Sequence, residues 1–186
     1  PATTRRMISS TVVRSLYTGM TTDNRGLAGI GASRDVDIDF QDRNTTGGAT
    51  SRAVARLLVF APNWLGDAVM STPALQRLRE ARPGAEVTLL TPEKLAALWR
   101  NHPSIDRVIT FAQGEGVWKV GARLRAEQFK VAVVFPNSIR SALEVWLARI
   151  PRRVGYGRRW RRIFLTQPLA PRAGALKMHK RTTAEI

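Results

Sequence analysis

The sequence has no cysteine, only two histidines, and no apolar run approaching the ~20 residues needed to cross a bilayer. The lack of cysteine excludes disulfides and thiolate metal sites, and it is typical of a cytoplasmic protein. The histidines, His102 and His179, lie far apart without neighbouring paired acids, so they are poor metal ligands and we assign both to structure. Any membrane contact is expected at the surface.

Acidic residues are also scarce. The 186 residues include 30 Lys and Arg against 14 Asp and Glu, a formal net charge of +16. This length allows one good core with a tail, but not two large domains. The charge favours polyanionic partners, whether nucleic acid, anionic lipid or a phosphorylated glycan, and it does not choose among them.

Three regions differ in composition. Residues 1–51 are rich in Thr, Ser, Gly, Asp and Arg without a hydrophobic period, which predicts an irregular or disordered extension ending in a linker. Residues 52–178 alternate apolar runs with amphipathic stretches and predict the folded domain, and 179–186 would begin another linker. Because the chain starts at Pro1 and ends in a polar run, we expect it to be a fragment.

The folded domain is organised around residues 57–61, five consecutive apolar residues that predict a strand buried on both faces. Residues 130–135 repeat the pattern, and each run is followed by proline, asparagine and a helix. The alternation of strands and helices predicts a doubly wound, Rossmann-like parallel sheet. Further strands are predicted at 86–91, 108–111 and 152–156, and helices at 93–100, 116–128 and 138–149. A helix is also predicted over 68–82, which either begins at Pro73 with Thr72 as its cap or has an earlier first turn that bends there.

The predicted helix 138–149 carries one apolar face. This face consists of Ile139, Ala142, Leu143, Trp146 and Leu147.

Polar residues follow both repeated strands, and their loops would line one cleft if the strands are neighbours. Gly66 would let a ligand approach the backbone, and Asp67 either accepts a proton from a hydroxyl nucleophile or only caps its helix. Asn137 and Ser138 would donate hydrogen bonds, and Arg140 would attract an acidic substrate. Alternatively, Ser138 is an ordinary cap and Arg140 a solvated helix residue.

Three segments carry a resemblance to a known family. Asn-Trp-Leu-Gly-Asp-Ala-Val-Met-Ser-Thr-Pro (63–73), Phe-Pro-Asn-Ser-Ile-Arg-Ser-Ala (135–142) and Ile-Pro-Arg-Arg-Val-Gly-Tyr (150–156) resemble, in order and approximate spacing, the ADP-heptose:lipopolysaccharide heptosyltransferases. The resemblance implies a GT-B fold of two Rossmann-like domains. The amino-terminal domain would receive the lipopolysaccharide inner core, and the carboxyl-terminal domain would hold ADP-heptose.

The resemblance also implies roles for residues. Transfer would be inverting and would need no obligatory metal or other cofactor. Asp67 aligns with the general base, and we assign acceptor binding to Asn63, Gly66, Asn137, Ser138 and Arg140. The first 50 residues match nothing in the family, and the chain stops near the expected linker to the donor domain. We therefore expect half an enzyme, inactive without its donor-binding domain.

Seven arginines lie between Arg149 and Arg162, interleaved with Tyr156 and Trp160. Arginine with aromatics can grip phosphates and stack bases, so a basic nucleic-acid-binding α/β module is an alternative function. No helix-turn-helix spacing, RNP motif or zinc ligand set accompanies the run, which makes nucleic acid the less expected partner. An acidic acceptor beside an anionic membrane explains the run equally well, as does a solvated surface. We assign acidic-acceptor or membrane contact to Arg158, Arg159, Trp160, Arg161 and Arg162, and expect a peripheral protein at the cytoplasmic face of the inner membrane.

Overall fold

The computed structural model describes residues 55–169. Predictions for the extension 1–51, the linker at 179–186 and His179 lie outside these residues. No helix in the described part combines the length and apolar character needed to cross a membrane.

A six-stranded parallel sheet with the strand order β3-β2-β1-β4-β5-β6 forms the frame of the domain. Its strands are β1 (Arg56–Phe60), β2 (Glu86–Pro92), β3 (Arg107–Phe111), β4 (Val131–Val134), β5 (Arg152–Tyr156) and β6 (Gln167–Leu169). The helices are α1 (Leu65–Met70), α2 (Thr72–Ala81), α3 (Ala96–Trp99), α4 (Val117–Ala126) and α5 (Ile139–Leu147), with 3₁₀ helices at Glu93–Leu95 and Arg159–Phe164. The predicted doubly wound, Rossmann-like sheet is confirmed.

The central strand β1 divides the core into two layers because successive side chains point to opposite faces. Leu57 and Val59 face a cluster that includes buried residues of α1, α2 and α3. Leu58 and Phe60 face a second cluster with buried residues of α4 and α5. Helices therefore cover both faces of the sheet, which explains the unbroken apolar run of this strand.

The chain bends between α1 and α2, as the second of the two alternatives for this region predicted. Ser71 separates the helices, and its backbone N–H still bonds the carbonyl of Asp67 at 3.0 Å. Thr72 is the first residue of α2 rather than its cap, and Pro73 lies in the first turn, where its missing N–H costs little.

The apolar face predicted for α5 is buried only in part: Ala142 is buried, and Leu143 and Leu147 are half-buried. Ile139 and Trp146 are exposed, whereas Ser141, Glu144 and Val145 are buried. The apolar pattern misplaced part of the buried face because two of the buried residues of α5, Ser141 and Glu144, are polar. Trp146 instead packs edge-to-face on Phe164 of the second 3₁₀ helix, with ring centroids 5.8 Å apart.

Two elements were not predicted, namely β6 and the 3₁₀ helix Arg159–Phe164. The predicted helix 93–100 is a 3₁₀ turn followed by the single helical turn of α3. The three residues of β6 and the arginine-rich 3₁₀ helix carry no apolar period by which they could be recognised, and their conformation depends on packing against the rest of the domain.

Ion pairs join the amino ends of the strands. Glu127 contacts Arg56 at 3.0 Å and Arg107 at 2.5 Å, and Asp106 contacts Arg79 at 2.5 Å. The hydrogen bond from Arg107 lowers the pKa of Glu127 despite partial desolvation. Desolvation alone would raise the pKa of Asp106, but hydrogen bonds from Arg79 and the backbone of Val87 outweigh it and lower that pKa. This end of the sheet is therefore stabilised by ionised carboxylates.

Candidate active site

The carboxyl ends of β1 and β4 form the topological switch point of the sheet. The two strands pair directly, with Phe60 opposite Val134, so the prediction that they are neighbours is confirmed. From β1 the chain runs outward through β2 and β3, and it returns as β4 on the other side of β1. Because the loops after these strands diverge to opposite faces, they leave a crevice between them, which is where open α/β sheets bind ligands.

The loop after β1 presents Asn63 and Trp64 to solvent and leads into α1. Trp64 is the residue at the helix cap, and no side chain caps α1. Asp67 therefore does not cap this helix, and that alternative is wrong. Its half-exposed carboxylate makes no hydrogen bond or ion pair within the described part of the chain. Gly66 is exposed, and a Cβ atom there would meet nothing within 4 Å.

The loop after β4 is held by its own hydrogen bonds. The Ser138 hydroxyl oxygen accepts the backbone N–H of Ser141 at 3.1 Å, so Ser138 does cap α5. The Ser141 hydroxyl donates to the carbonyl of Pro136 at 3.2 Å. Asn137 is exposed at the tip of this loop. The cap fixes the direction in which α5 leaves the crevice.

Arg140 is not simply a solvated residue. Its Nε donates to Oε1 of Glu144 at 2.8 Å, and its Nη2 donates to the backbone carbonyl of Glu115. The side chain thus links α5 to the loop before α4 while remaining 43% exposed. Its guanidinium still faces solvent and can meet an anionic group of a ligand.

Glu144 is the site residue that sequence reasoning missed. Its side chain is only 1% exposed, and Oε2 has no hydrogen-bond partner among the described residues. Burial raises the pKa of Glu144, and the nearby charge of Glu115 adds to this rise, while Arg140 opposes it. The four-residue spacing between Arg140 and Glu144 was the available signal, because residues four apart share one side of a helix.

A small cavity of about 20 Å³ lies at this position. It brings together three of the predicted residues, Asn63, Ser138 and Arg140. Its remaining lining residues are Phe60, Phe111, Ser141 and Glu144. Gly66 and Asp67 in the first turn of α1, and Asn137 in the loop after β4, do not line this cavity.

A much larger open groove of about 1010 Å³ lies elsewhere, between α4 and α5. It is lined by Trp118, Ala122, Arg125, Ala126, Trp146, Leu147, Arg149 and Arg153. None of these is a predicted site residue, and none is acidic. The groove is the larger space, but the small cavity has the more reactive lining. We therefore place the candidate site at the switch point, where several polar side chains surround the buried carboxylate of Glu144.

Within residues 55–169, no three His, Asp or Glu side chains cluster closely enough to hold a metal ion. The carboxylates of this region are instead engaged mainly with arginines.

The basic run is not one surface. Arg161 is 1% exposed, so its predicted contact with an acceptor or membrane is wrong. Its guanidinium donates to the backbone carbonyls of Ser138 (3.1 Å), Val134 (3.4 Å) and Tyr156, joining the ends of β4 and β5 to the cap of α5. Arg158, Trp160 and Arg162 are exposed, and the side chain of Arg159 is not described. Arg161 is therefore not available to contact nucleic-acid phosphates, which weakens the alternative of a nucleic-acid-binding module.

The fold defines a Rossmann-like α/β domain with a polar crevice at the switch point of its sheet. No protein-family model matches the chain. The chain is 32% identical over 107 residues to lipooligosaccharide heptosyltransferase 2 of Haemophilus ducreyi, covering 54% of this chain and 30% of the relative. It is also 32% identical over 107 residues to lipopolysaccharide heptosyltransferase 2 of Escherichia coli, covering 54% of this chain and 31% of the relative.

Solved structures give the same result. The E. coli ADP-heptose lipopolysaccharide heptosyltransferase II matches with a TM-score of 0.53 and 32% identity, covering 59% of this chain and 33% of that one. A glycosyl transferase family 9 protein from Veillonella parvula matches in fold, with a TM-score of 0.58 and 24% identity, covering 67% and 37%. The predicted resemblance and the GT-B-type Rossmann-like fold are confirmed, and the chain spans about a third of the length of these relatives.

Proposed function

We propose that this domain is the acceptor-binding part of an inverting glycosyltransferase that moves heptose from ADP-heptose to the lipopolysaccharide inner core. One observation carries the proposal. The loops after β1 and β4 meet at the switch point of the sheet, in a fold that is similar to that of E. coli heptosyltransferase II. The acceptor sugar would lie in this crevice, close to Asn63, Gly66, Asn137, Ser138 and Arg140.

In this proposal Asp67 is the general base. Its carboxylate accepts the proton of the acceptor hydroxyl while that oxygen bonds to the anomeric carbon of heptose and the bond from that carbon to ADP breaks. Asp67 lies in the first turn of α1, and placement of the acceptor hydroxyl against its carboxylate would contribute to catalysis. The ADP leaving group would be held by protein groups of the donor domain, without a metal.

The proposal is tested in a chimaera in which residues 55–169 replace the matching segment of E. coli heptosyltransferase II. We expect transfer from ADP-heptose to a heptose-terminated core, and a loss of about 10²–10⁴-fold in kcat for Asp67→Asn, the usual contribution of a general base. Glu80→Gln, on the solvent side of α2, is the matched control and should leave kcat unchanged. Full transfer by a folded Asp67→Asn variant would remove Asp67 from the mechanism.

Peripheral contact with the anionic inner face of the membrane is the second part of the proposal. Trp160 and Ile163 are 75% and 68% exposed on the 3₁₀ helix Arg159–Phe164, and the neighbouring Arg158 and Arg162 are exposed as well. Tryptophan favours the headgroup region, and arginine reaches lipid phosphates from there.

Vesicle flotation tests this contact. We expect the chain to float with phosphatidylglycerol vesicles and a Trp160→Ala/Ile163→Ala variant to lose most of that binding. Trp118→Ala is the matched control, because Trp118 is 72% exposed but lies on α4. Equal binding by all three proteins would show that this segment makes no membrane contact.

A further inference from the structure

We propose that Glu144 selects the acceptor sugar: its Oε2 accepts a hydrogen bond from one sugar hydroxyl that enters the small cavity between the β1 and β4 loops. The inference rests on the proposed function, since it names a specificity-determining residue for the acceptor. It concerns one atom of the ligand and leaves the proton transfer to Asp67.

The first argument is the state of the carboxylate. Glu144 is almost completely buried, and a buried carboxylate oxygen without a partner is costly to maintain. Oε1 accepts from Arg140 at 2.8 Å, whereas Oε2 has no partner among the described residues. Nothing in residues 55–169 completes the hydrogen bonding of this carboxylate, so its Oε2 is open to a ligand hydroxyl.

The second argument is the shape of the cavity. Its volume of about 20 Å³ suits one water-sized group, which in a carbohydrate is a single hydroxyl. Asn63, Ser138 and Arg140 are exposed on its wall, and Glu144 is buried, so the cavity leads from the surface to the carboxylate. Phe60 and Phe111, packed edge-to-face at 5.8 Å, form an apolar part of the wall.

The third argument is that other polar groups in the wall are already engaged. Ser138 and Ser141 bond to each other, with their hydroxyl oxygens 3.0 Å apart, and Ser141 also donates to Pro136. Arg140 holds Glu144 in place from one side. Arg140 thus positions the carboxylate, and Oε2 can accept a hydrogen bond from a ligand. Such a group distinguishes a sugar that carries the hydroxyl from one that lacks it.

The test combines a protein variant with altered ligands. The ¹⁵N-labelled 186-residue chain is titrated with a methyl heptoside and with its monodeoxy analogues, and dissociation constants are read from NMR shifts of amides in the two loops. For the unaltered chain, we expect one deoxy position to weaken binding about 10-fold, the size expected for a hydrogen bond to a charged group.

In Glu144→Gln, the amide oxygen should remain with Arg140 and the NH₂ group should face the cavity, so an acceptor becomes a donor. We expect this variant to bind the parent heptoside about 10-fold more weakly and to be insensitive to removal of that one hydroxyl. Glu127→Gln carries the same chemical change at the opposite end of the sheet and should keep the original pattern.

Each remaining outcome decides a separate question. If Glu144→Gln binds the whole series as the unaltered chain does, the cavity holds only water and the inference is overturned while the acceptor site stands. If no heptoside shifts the loop amides of the unaltered chain, the proposed function fails and this inference fails with it. If Glu144→Gln does not fold, Glu144→Asp draws the carboxylate back by one methylene, and unchanged sensitivity to every hydroxyl would overturn the inference.

Discussion

At the scale of single residues, the arginine run shows how one residue type performs different tasks in neighbouring positions. Arg158 and Arg162 are exposed, while Arg161 is buried against three backbone carbonyls. A Cβ atom at Gly155 would lie 3.1 Å from the Arg161 guanidinium and 3.0 Å from the Val134 carbonyl, so the small residue makes room for this contact. Composition alone cannot distinguish these arginines, because their burial depends on the position of β5.

Replacing Arg161 by methionine should lower the free energy of unfolding by about 3 kcal/mol, because three carbonyls lose a charged donor. Arg162→Met should change it by less than about 0.5 kcal/mol, as is usual for an exposed residue. Urea unfolding followed by circular dichroism measures both. Equal destabilisation by the two variants would contradict the structural role of Arg161.

Glu144 should make stability fall with rising pH. Its pKa is raised in the folded state, mainly by burial, so the folded protein binds this proton more tightly than the unfolded one. This contribution to the free energy of unfolding is fully present below the ordinary glutamate pKa, and it is lost as the pH rises through the raised pKa of the folded state. Arg140 and Glu115 are the charged groups that act on it.

Urea unfolding at several pH values between about 4 and 8 measures this effect. We expect the free energy of unfolding of Glu144→Gln to fall less over that range than that of the unaltered chain. Identical pH profiles would show that the carboxylate has the same pKa in both states.

At the scale of elements, the sequence predicted what depends on local patterns. Unbroken apolar runs predicted β1 and β4, because a strand covered by helices on both faces is mainly apolar, and β2 was predicted although it buries Thr88 and Thr91. It did not predict the polar part of the buried face of α5, where Ser141 bonds to the carbonyl of Pro136 and Glu144 bonds to Arg140. For the same reason, three residues of the cavity were predicted and Glu144 was not: its burial becomes visible only when β1, β3, β4 and α5 are assembled.

The contact between α4 and α5 is tight at Gly121, where an added Cβ would lie 2.8 Å from Cβ of Leu147. Gly121→Ala should therefore lower the free energy of unfolding by about 1–3 kcal/mol through overpacking, although alanine is the better helix former. Gly84→Ala, with open space around its Cβ, is the control and should be close to neutral. Thermal unfolding of both variants measures the difference, and a stabilised Gly121→Ala would show that the two helices move apart without cost.

At the scale of the whole domain, the two ends of the sheet have opposite roles. The amino ends of the strands are joined by ion pairs around Glu127 and Asp106, whereas at the carboxyl ends Oε2 of Glu144 has no hydrogen-bond partner within residues 55–169. This division is typical of open α/β sheets, where stability and binding are placed at opposite edges.

Acid should unfold the domain through its amino end. The pKa of Glu127 is lowered by Arg107 and Arg56, so its contribution is present above the ordinary glutamate pKa and is lost as the pH falls through the lowered value. Glu127→Gln should be less stable than the unaltered chain near neutral pH and should lose less stability on acidification. Unfolding curves at pH values from about 7 to 3 measure this. Parallel loss of stability in both proteins would contradict it.

The position of Arg161 late in the chain has a consequence for folding during synthesis on the ribosome. This side chain joins the ends of β4 and β5, yet it lies 23 residues downstream of Ser138 and 27 downstream of Val134. When β4 and β5 have left the ribosome but Arg161 has not, the nascent chain lacks the donor that holds the carbonyl of Ser138 beside the crevice. The loop after β4 therefore reaches its final shape only after the segment beyond β5 has left the exit tunnel.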